Sequence, residues 1–173
     1  MSARHRVALG LGANLGDRVA ALQGAVDLLA PYLRDVAVSP VYETAPVGGP
    51  EGQPDYANAV LVGTTDLSPH ELLSRAHDAE DAWHRTREIH WGPRTLDVDV
   101  LDFDGLVLDD PDLVLPHPRA HERAFVLVPW AAVAPDAVLP GHGSVAALAV
   151  IATQDAGADA VRRRDDVVLV VPS

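Results

Sequence analysis

Leu96-Asp97-Val98-Asp99-Val100-Leu101 alternates apolar and acidic residues with the two-residue period of a half-buried β-strand. Its place in the chain decides the fold. Upstream, Ser68, Pro69 and Glu71 form a capping box with proline at the first helical position, which predicts a helix running to about His84. Before it come a strand over Tyr56 to Thr64, a valine-rich strand over Val36 to Tyr42, and an amphipathic helix from Asp17 to about Leu33, with Val19, Leu22, Val26, Leu29 and Leu33 at helical spacing. An apolar strand from Arg6 to Leu11 opens the chain, and Gly10, Gly12 and Gly16 predict a tight turn after it. The order is therefore βαββαβ, a ferredoxin-like α/β (α+β) core with an antiparallel sheet, in which the first and fourth strands are expected to be central.

Beyond this core, DGLVLDDPDLVL predicts a short hairpin and HERAFVLVPWAAVAP a helix interrupted at Pro129. Val167 to Val171 reads as a last strand, and 152–166 is so poorly patterned that it reads as mobile. With 173 residues and 48% hydrophobic residues, the chain is expected to form a single domain, 1–173, with its own core.

The net charge of −12 argues against a general affinity for nucleic acid or anionic membrane. The absence of cysteine removes disulfides and thiolate chemistry and fits a reducing compartment. The short apolar run at the N-terminus does not make a signal peptide, and the expected location is cytoplasmic. All thirteen basic residues are arginine, so cationic contacts must be made by guanidinium forks, and no P-loop motif occurs. In GLGANLG, Leu15 stands where a dinucleotide fingerprint needs glycine.

Chemistry concentrates around the quoted strand. Asp97 and Asp99 lie two apart, so both carboxylates project from one face about 6.5–7 Å apart, close enough to hold hard cations. Such a pair also occurs on solvated edges; a central strand would make it costly without cations. Arg85, Arg87 and Arg94 precede the strand, and His117, Arg119, His121 and Arg123 follow it. Five arginines between 85 and 123 suit a magnesium-bound polyphosphate and point to phosphoryl-type transfer, although each alone also reads as a surface residue. His117 either donates to phosphate or braces its Pro-His-Pro turn. Aromatics are only 5% of the chain, so Tyr56, Trp91 and Phe125, with Asn58, are candidates to sandwich and read a flat heterocycle, against the plain alternative of core packing. Trp83 and Trp130 read as packing residues. Spacing leaves open whether Glu80 faces the site or solvent.

Four ordered motifs, LGANLGD at 11–17, QPDYANAV at 53–60, HWGPRTLDVDVLDF at 90–103 and LPHPRAHERAFVLVPW at 115–130, closely resemble the 6-hydroxymethyl-7,8-dihydropterin pyrophosphokinase family. The resemblance implies an enzyme of folate biosynthesis that transfers pyrophosphate from ATP to 6-hydroxymethyl-7,8-dihydropterin. It implies two Mg²⁺ ions held by Asp97 and Asp99, with Arg85 and Arg94 beside them as catalytic residues. ATP would be met by Glu80, Arg87, Trp91, Arg94, Val100, His117 and Arg123, and the pterin by Thr44, Ala45, Pro46, Val47, Gln53, Tyr56, Asn58 and Phe125, with Asn14 nearby. A monomer is the family expectation. Loops 45–54 and 84–93 are expected to close over nucleotide. The chain departs from relatives at His77, His90, Asp112, Val114 and Pro118.

The same residues admit two rivals. A magnesium-dependent phosphohydrolase would use these carboxylates with water as nucleophile, and a ferredoxin-like ligand- or RNA-binding module would lack chemistry altogether. RNA readers of this topology display strand aromatics and basic surface, which are missing here.

Overall fold

The computed structural model describes residues 4–45, 54–84 and 96–173. The elements are β1 (His5–Ala13), α1 (Arg18–Leu29), β2 (Arg34–Val38), β3 (Val41–Thr44), β4 (Tyr56–Thr65), α2 (Pro69–His84), β5 (Asp97–Phe103), β6 (Leu108–Asp109), β7 (Val114–Leu115), α3 (Ala124–Val133), β8 (Val138–Leu139), β9 (Gly143–Ser144), α4 (Val145–Ala156) and β10 (Val161–Arg164). The main sheet is antiparallel in the order β10-β3-β4-β1-β5, and β2 also pairs with β4.

Each sheet face is covered by a helical layer. Leu9, Leu11, Ala57, Ala59, Val98 and Val100 pack under α1 and α2, while Ala8, Val60 and Leu101 pack with α3 and α4. A fully buried leucine contributes about 1.5–3 kcal/mol relative to exposure, and leucines fill both layers, among them Leu9, Leu22, Leu72, Leu127 and Leu139. The first layer closes tightly because Gly24 of α1 has no side chain: a Cβ there would collide with the indole of Trp83 on α2. The helix starts follow the capping rules. Asp17 accepts from the Ala20 N–H at 3.0 Å, and the Ser68 hydroxyl from the Glu71 N–H at 3.2 Å.

Several expectations need correction. Among the described residues the acidic strand β5 is an edge strand, hydrogen-bonded in the sheet to β1 alone, and the central strands are β1 and β4. The outer edge of β5 is satisfied from elsewhere: the Glu80 carboxylate accepts from the Val98 N–H at 3.0 Å, and the His117 N–H donates to the Leu101 carbonyl at 2.9 Å. Gly10 and Gly12 lie within β1, and of the three glycines only Gly16, with φ of 65°, makes the turn.

The expected strand over 36–42 is two strands, because Pro40 has no N–H to donate. Ser39 keeps contact with β4 across the break, its N–H donating to the Val60 carbonyl and its hydroxyl accepting from the Val60 N–H, both at 2.9 Å. The first helix is α-helical only to Leu29, with a 3₁₀ turn over Ala30–Tyr32 at Pro31. The third runs unbroken through Pro129 to Val133, since a proline in its second turn deprives only the Phe125 carbonyl of a donor.

The last strand is Val161–Arg164, on the free edge of β3. Residues 167–171 form no strand. They are held by the Gln23 side chain, which donates to the Val170 carbonyl at 2.7 Å and accepts its N–H at 2.9 Å, and by Leu169, which is buried against the core. The expected hairpin is present as β6–β7.

Candidate active site

The site is built on one face of the sheet. In an antiparallel ladder, directly opposed residues share a face, and Gly10 and Gly12 of β1 stand opposite Asp99 and Asp97 of β5 on one side and Val60 and Asn58 of β4 on the other. Since Val98 and Val100 point into the α1–α2 core, Asp97 and Asp99 project from the opposite face. The register continues outward: Tyr42 opposes Asn58, and Thr44 opposes Tyr56. Asp97, Asp99, Asn58, Tyr56 and Thr44 therefore share one face, separated by a β1 segment with no side chains at 10 and 12.

That bare segment is a feature sequence reading missed. A Cβ on Gly12 would lie 3.2 Å from Oδ1 of Asn58, and one on Gly10 would lie 3.3 Å from the Leu101 side chain. The signal was two glycines spaced by the strand period, so that both fall on the same face. Asn58 is 5% exposed and donates through Nδ2 to the Thr44 hydroxyl at 2.8 Å. This contact fixes the amide orientation and leaves Oδ1 beside Gly12.

His117 closes the outer side. Its backbone is bound to the β5 edge, and the Arg119 N–H donates to Nδ1 at 3.2 Å, which makes Nδ1 the acceptor and leaves the neutral ring's proton on Nε2. Burial pushes the imidazole below its usual pKa; Asp99 pulls it up, while Arg123 and Arg119 push it down. Between β5, α2 and the 111–118 segment lies a cavity of about 340 Å³, whose lining includes Glu80, Val100, Asp99, Asp112, Val114 and His117. Glu80 thus turns toward β5, which settles its orientation. Phe125 sits in the first turn of α3, a helix packed over this face of the sheet, with the Arg123 guanidinium 5.6 Å from its ring centroid. Asn14, just past β1, is 1% exposed, and neither of its amide atoms has a hydrogen-bond partner among the described residues. Ala45 is exposed at the end of β3.

Arg85, Arg87, Trp91, Arg94, Pro46, Val47, Gln53 and His90 lie outside the described residues, as do the loops expected to close except at their ends. Trp130 is a core residue, and Trp83 packs on the α1–α2 core.

The donor set at Asp97 and Asp99 fits magnesium. Two carboxylates on one open face suffice for an ion that draws its other ligands from water and substrate phosphates. Among the described residues no cluster of three or more acidic, histidine or cysteine side chains forms a closed cage.

Comparison with known proteins shows the family. The family model for 7,8-dihydro-6-hydroxymethylpterin-pyrophosphokinase (HPPK) matches residues 8–135. The 2-amino-4-hydroxy-6-hydroxymethyldihydropteridine pyrophosphokinase of Methylorubrum extorquens is 48% identical over 146 residues, covering 83% of this chain and 92% of its own. The protein of the same description from Mycobacterium bovis is 45% identical over 148 residues, covering 80% and 77%. Among solved structures, Plasmodium falciparum HPPK-DHPS wild type with pteroate aligns over 90% of this chain with a TM-score of 0.69 and 15% identity, a likeness of fold; the chain spans 44% of that longer one. No helix among the described residues is long and apolar enough to cross a membrane. From the sheet and its acidic edge strand to the extent of these matches, the chain belongs to the 7,8-dihydro-6-hydroxymethylpterin-pyrophosphokinase family.

Proposed function

We propose that this chain transfers pyrophosphate from ATP to 6-hydroxymethyl-7,8-dihydropterin, giving AMP and the pterin diphosphate, a step of folate biosynthesis. The observation that carries the reading is the shared face: the acidic pair suited to a metal-bound polyphosphate and the Asn58–Thr44–Tyr56 group suited to a heterocycle flank the side-chain-free positions of β1. The names of the relatives, at 43–48% identity, favour the same chemistry.

The pterin hydroxymethyl oxygen forms the new O–P bond at the β-phosphorus, the bond to AMP breaks, and the hydroxyl proton leaves to solvent. A loose transition state asks little of a base, so positioning and charge neutralisation dominate. Asp97 and Asp99 are the residues that would hold Mg²⁺, which when bound supplies positive charge against the phosphate oxygens. His117, neutral near pH 7, offers its Nε2–H to a phosphate oxygen, and Arg123 offers a guanidinium fork. The cavity bounded by Glu80 and Val100 takes the nucleotide base. Tyr56 and Phe125 stack on the pterin and Asn58 reads its edge. Arg85, Arg87, Trp91 and Arg94 complete the phosphate side, and Ala45, Pro46, Val47 and Gln53 the pterin side, as the family resemblance implies.

The test is to mix purified protein with Mg²⁺, ATP and the pterin alcohol and to quantify AMP with and without the pterin. Pterin-dependent AMP with equimolar pterin diphosphate is expected. ADP or free phosphate formed equally without pterin would mean hydrolysis, and would overturn the reading.

A further inference from the structure

The two segments that flank residues 46–53 are joined by ion pairs to which the transfer reaction assigns no role. Glu43, the neighbour of Thr44, receives Arg18 at 2.7 Å and Arg164 at 2.6 Å on the same carboxylate oxygen. Asp55, the neighbour of Tyr56, pairs with Arg162 at 2.7 Å. Arg18 also donates to the Asp55 carbonyl at 2.8 Å, so one guanidinium holds both stems.

These arginines reach the stems by design of the sheet. Strand β10 pairs with β3 so that Arg162 opposes Glu43 and Arg164 opposes Val41. Since Val41 faces the α1–α2 core, Glu43, Arg162 and Arg164 share the side of the sheet opposite Thr44, Tyr56 and Asn58. Its side chains lie on the other side of the sheet from the described residues assigned to the pterin on these strands, Thr44, Tyr56 and Asn58. Beyond it, the chain is fastened by Leu169 in the core and by the paired hydrogen bonds between Gln23 and Val170. Burial pushes the Glu43 carboxyl up, but the hydrogen bonds from Arg164 and Arg18 outweigh it and hold the group below the usual carboxylate range, so it stays charged near neutral pH. A multi-centred network of this kind constrains geometry better than isolated surface pairs do.

We infer that Arg18, Arg162 and Arg164, the latter two delivered by the C-terminal strand, are positioning residues for the pterin half of the reaction, fixing the spacing of the stems that carry Thr44 and Tyr56. This rests on the reading of that face as the pterin site. The β3–β4 ladder ends at the Thr44–Tyr56 pair, and the arginines carry the cross-link one residue past it, to Asp55, which limits fraying of that last pair before substrate arrives.

The test uses the full chain with Arg162→Gln, with Arg162→Gln and Arg164→Gln together, and with Arg162→Lys, which keeps the charge facing Glu43 and Asp55. Arg162 is about half exposed, so the single variant keeps its fold. Pterin KM is expected to rise roughly threefold to tenfold in the double variant, with ATP KM unchanged. Arg162→Lys should keep pterin KM nearer to wild type than Arg162→Gln does. An unmoved pterin KM, a parallel rise in both KM values, or an Arg162→Lys chain no nearer wild type than Arg162→Gln would overturn the inference. Asn58→Ala, measured alongside, separates the two levels: if it leaves pterin KM at the wild-type value the pterin reading itself fails, whereas if it raises it and the arginine variants do not, only the positioning role fails.

Discussion

Gly12 and Asn58 are cross-strand partners, and the missing Cβ of Gly12 would stand 3.2 Å from Oδ1 of Asn58, closer than an ordinary van der Waals contact. Asn58 has little room to yield, being 5% exposed and tied to Thr44 through Nδ2. Gly12→Ala should therefore turn the amide away from its reading position and weaken pterin binding roughly tenfold. The chain itself should change in stability by about 1 kcal/mol or less, since strain and the reduced freedom of the unfolded chain oppose each other. Calorimetric titration with pterin and with an ATP analogue checks this: loss confined to pterin is expected, and unaltered pterin affinity would show that Asn58 adapts.

Asp97 and Asp99 face the same side of an edge strand, half exposed, beside a stretch of β1 that offers no side chain. Neither residue is buried as a core pair would be. Asp97→Asn and Asp99→Asn should each lower turnover by roughly 10²–10³-fold, the scale of losing one electrostatic stabiliser, with circular dichroism and unfolding midpoint close to wild type. Near-normal turnover in either purified variant would remove that carboxylate from the chemistry.

The alternating stretch at 96–101 and the capping box at 68–71 made β5 and α2 legible, because period and cap are local properties. The sheet order was not local. Reading β5 as central followed from the ferredoxin-like element order, whereas the strand is an edge whose outward N–H and carbonyl groups at Val98 and Leu101 are taken up by Glu80 and His117, partners 18 and 16 residues away that no spacing rule selects. The VRRR sequence of β10 escaped notice for a similar reason: its strand state comes from the open edge of β3 and from Glu43 and Asp55, more than a hundred residues earlier. At the site, Asp97, Asp99, Asn58 and His117 were legible as chemical types, while the glycine-floored trough between them emerged only once three strands were in register.

At the far end of β5, Asp102 is half-buried and its Oδ1 has no partner among the described residues, while Oδ2 accepts a long 3.4 Å contact from the Gly105 N–H. Burial raises its pKa above the ordinary value; the backbone N–H groups of Gly105 and Phe103 and the charge of Arg6 lower it, and Asp104 raises it further. A carboxyl with a raised folded-state pKa binds its proton more tightly folded than unfolded. Its ionisation therefore costs stability as pH rises from the unfolded value, near 3.8, through the folded one. Asp102→Asn should gain stability at pH 7, and that gain should vanish as pH is lowered toward 3.8. Urea unfolding across this window tests it; a variant less stable than wild type at pH 7 would mean that the charge is stabilised there.

Asn14 combines near-complete burial with an amide that has no partner among the described residues. An unmade hydrogen bond in such a place costs about 1–3 kcal/mol, a cost that a purely structural residue would have no reason to carry. It lies one residue past the end of β1, two residues from Gly12, and so at the end of the trough proposed for the pterin. The amide is best explained as a group that finds its partner when substrate is bound. Asn14→Leu, which keeps the branched shape and removes the polarity, should then raise the unfolding free energy by about 1 kcal/mol while weakening pterin binding and leaving ATP binding alone. Urea titration and ligand titration on the same preparation decide the matter. Lower stability with pterin affinity intact would show that the amide serves the fold, whereas the opposite pairing, a firmer chain that binds pterin poorly, is what a preorganised recognition group predicts.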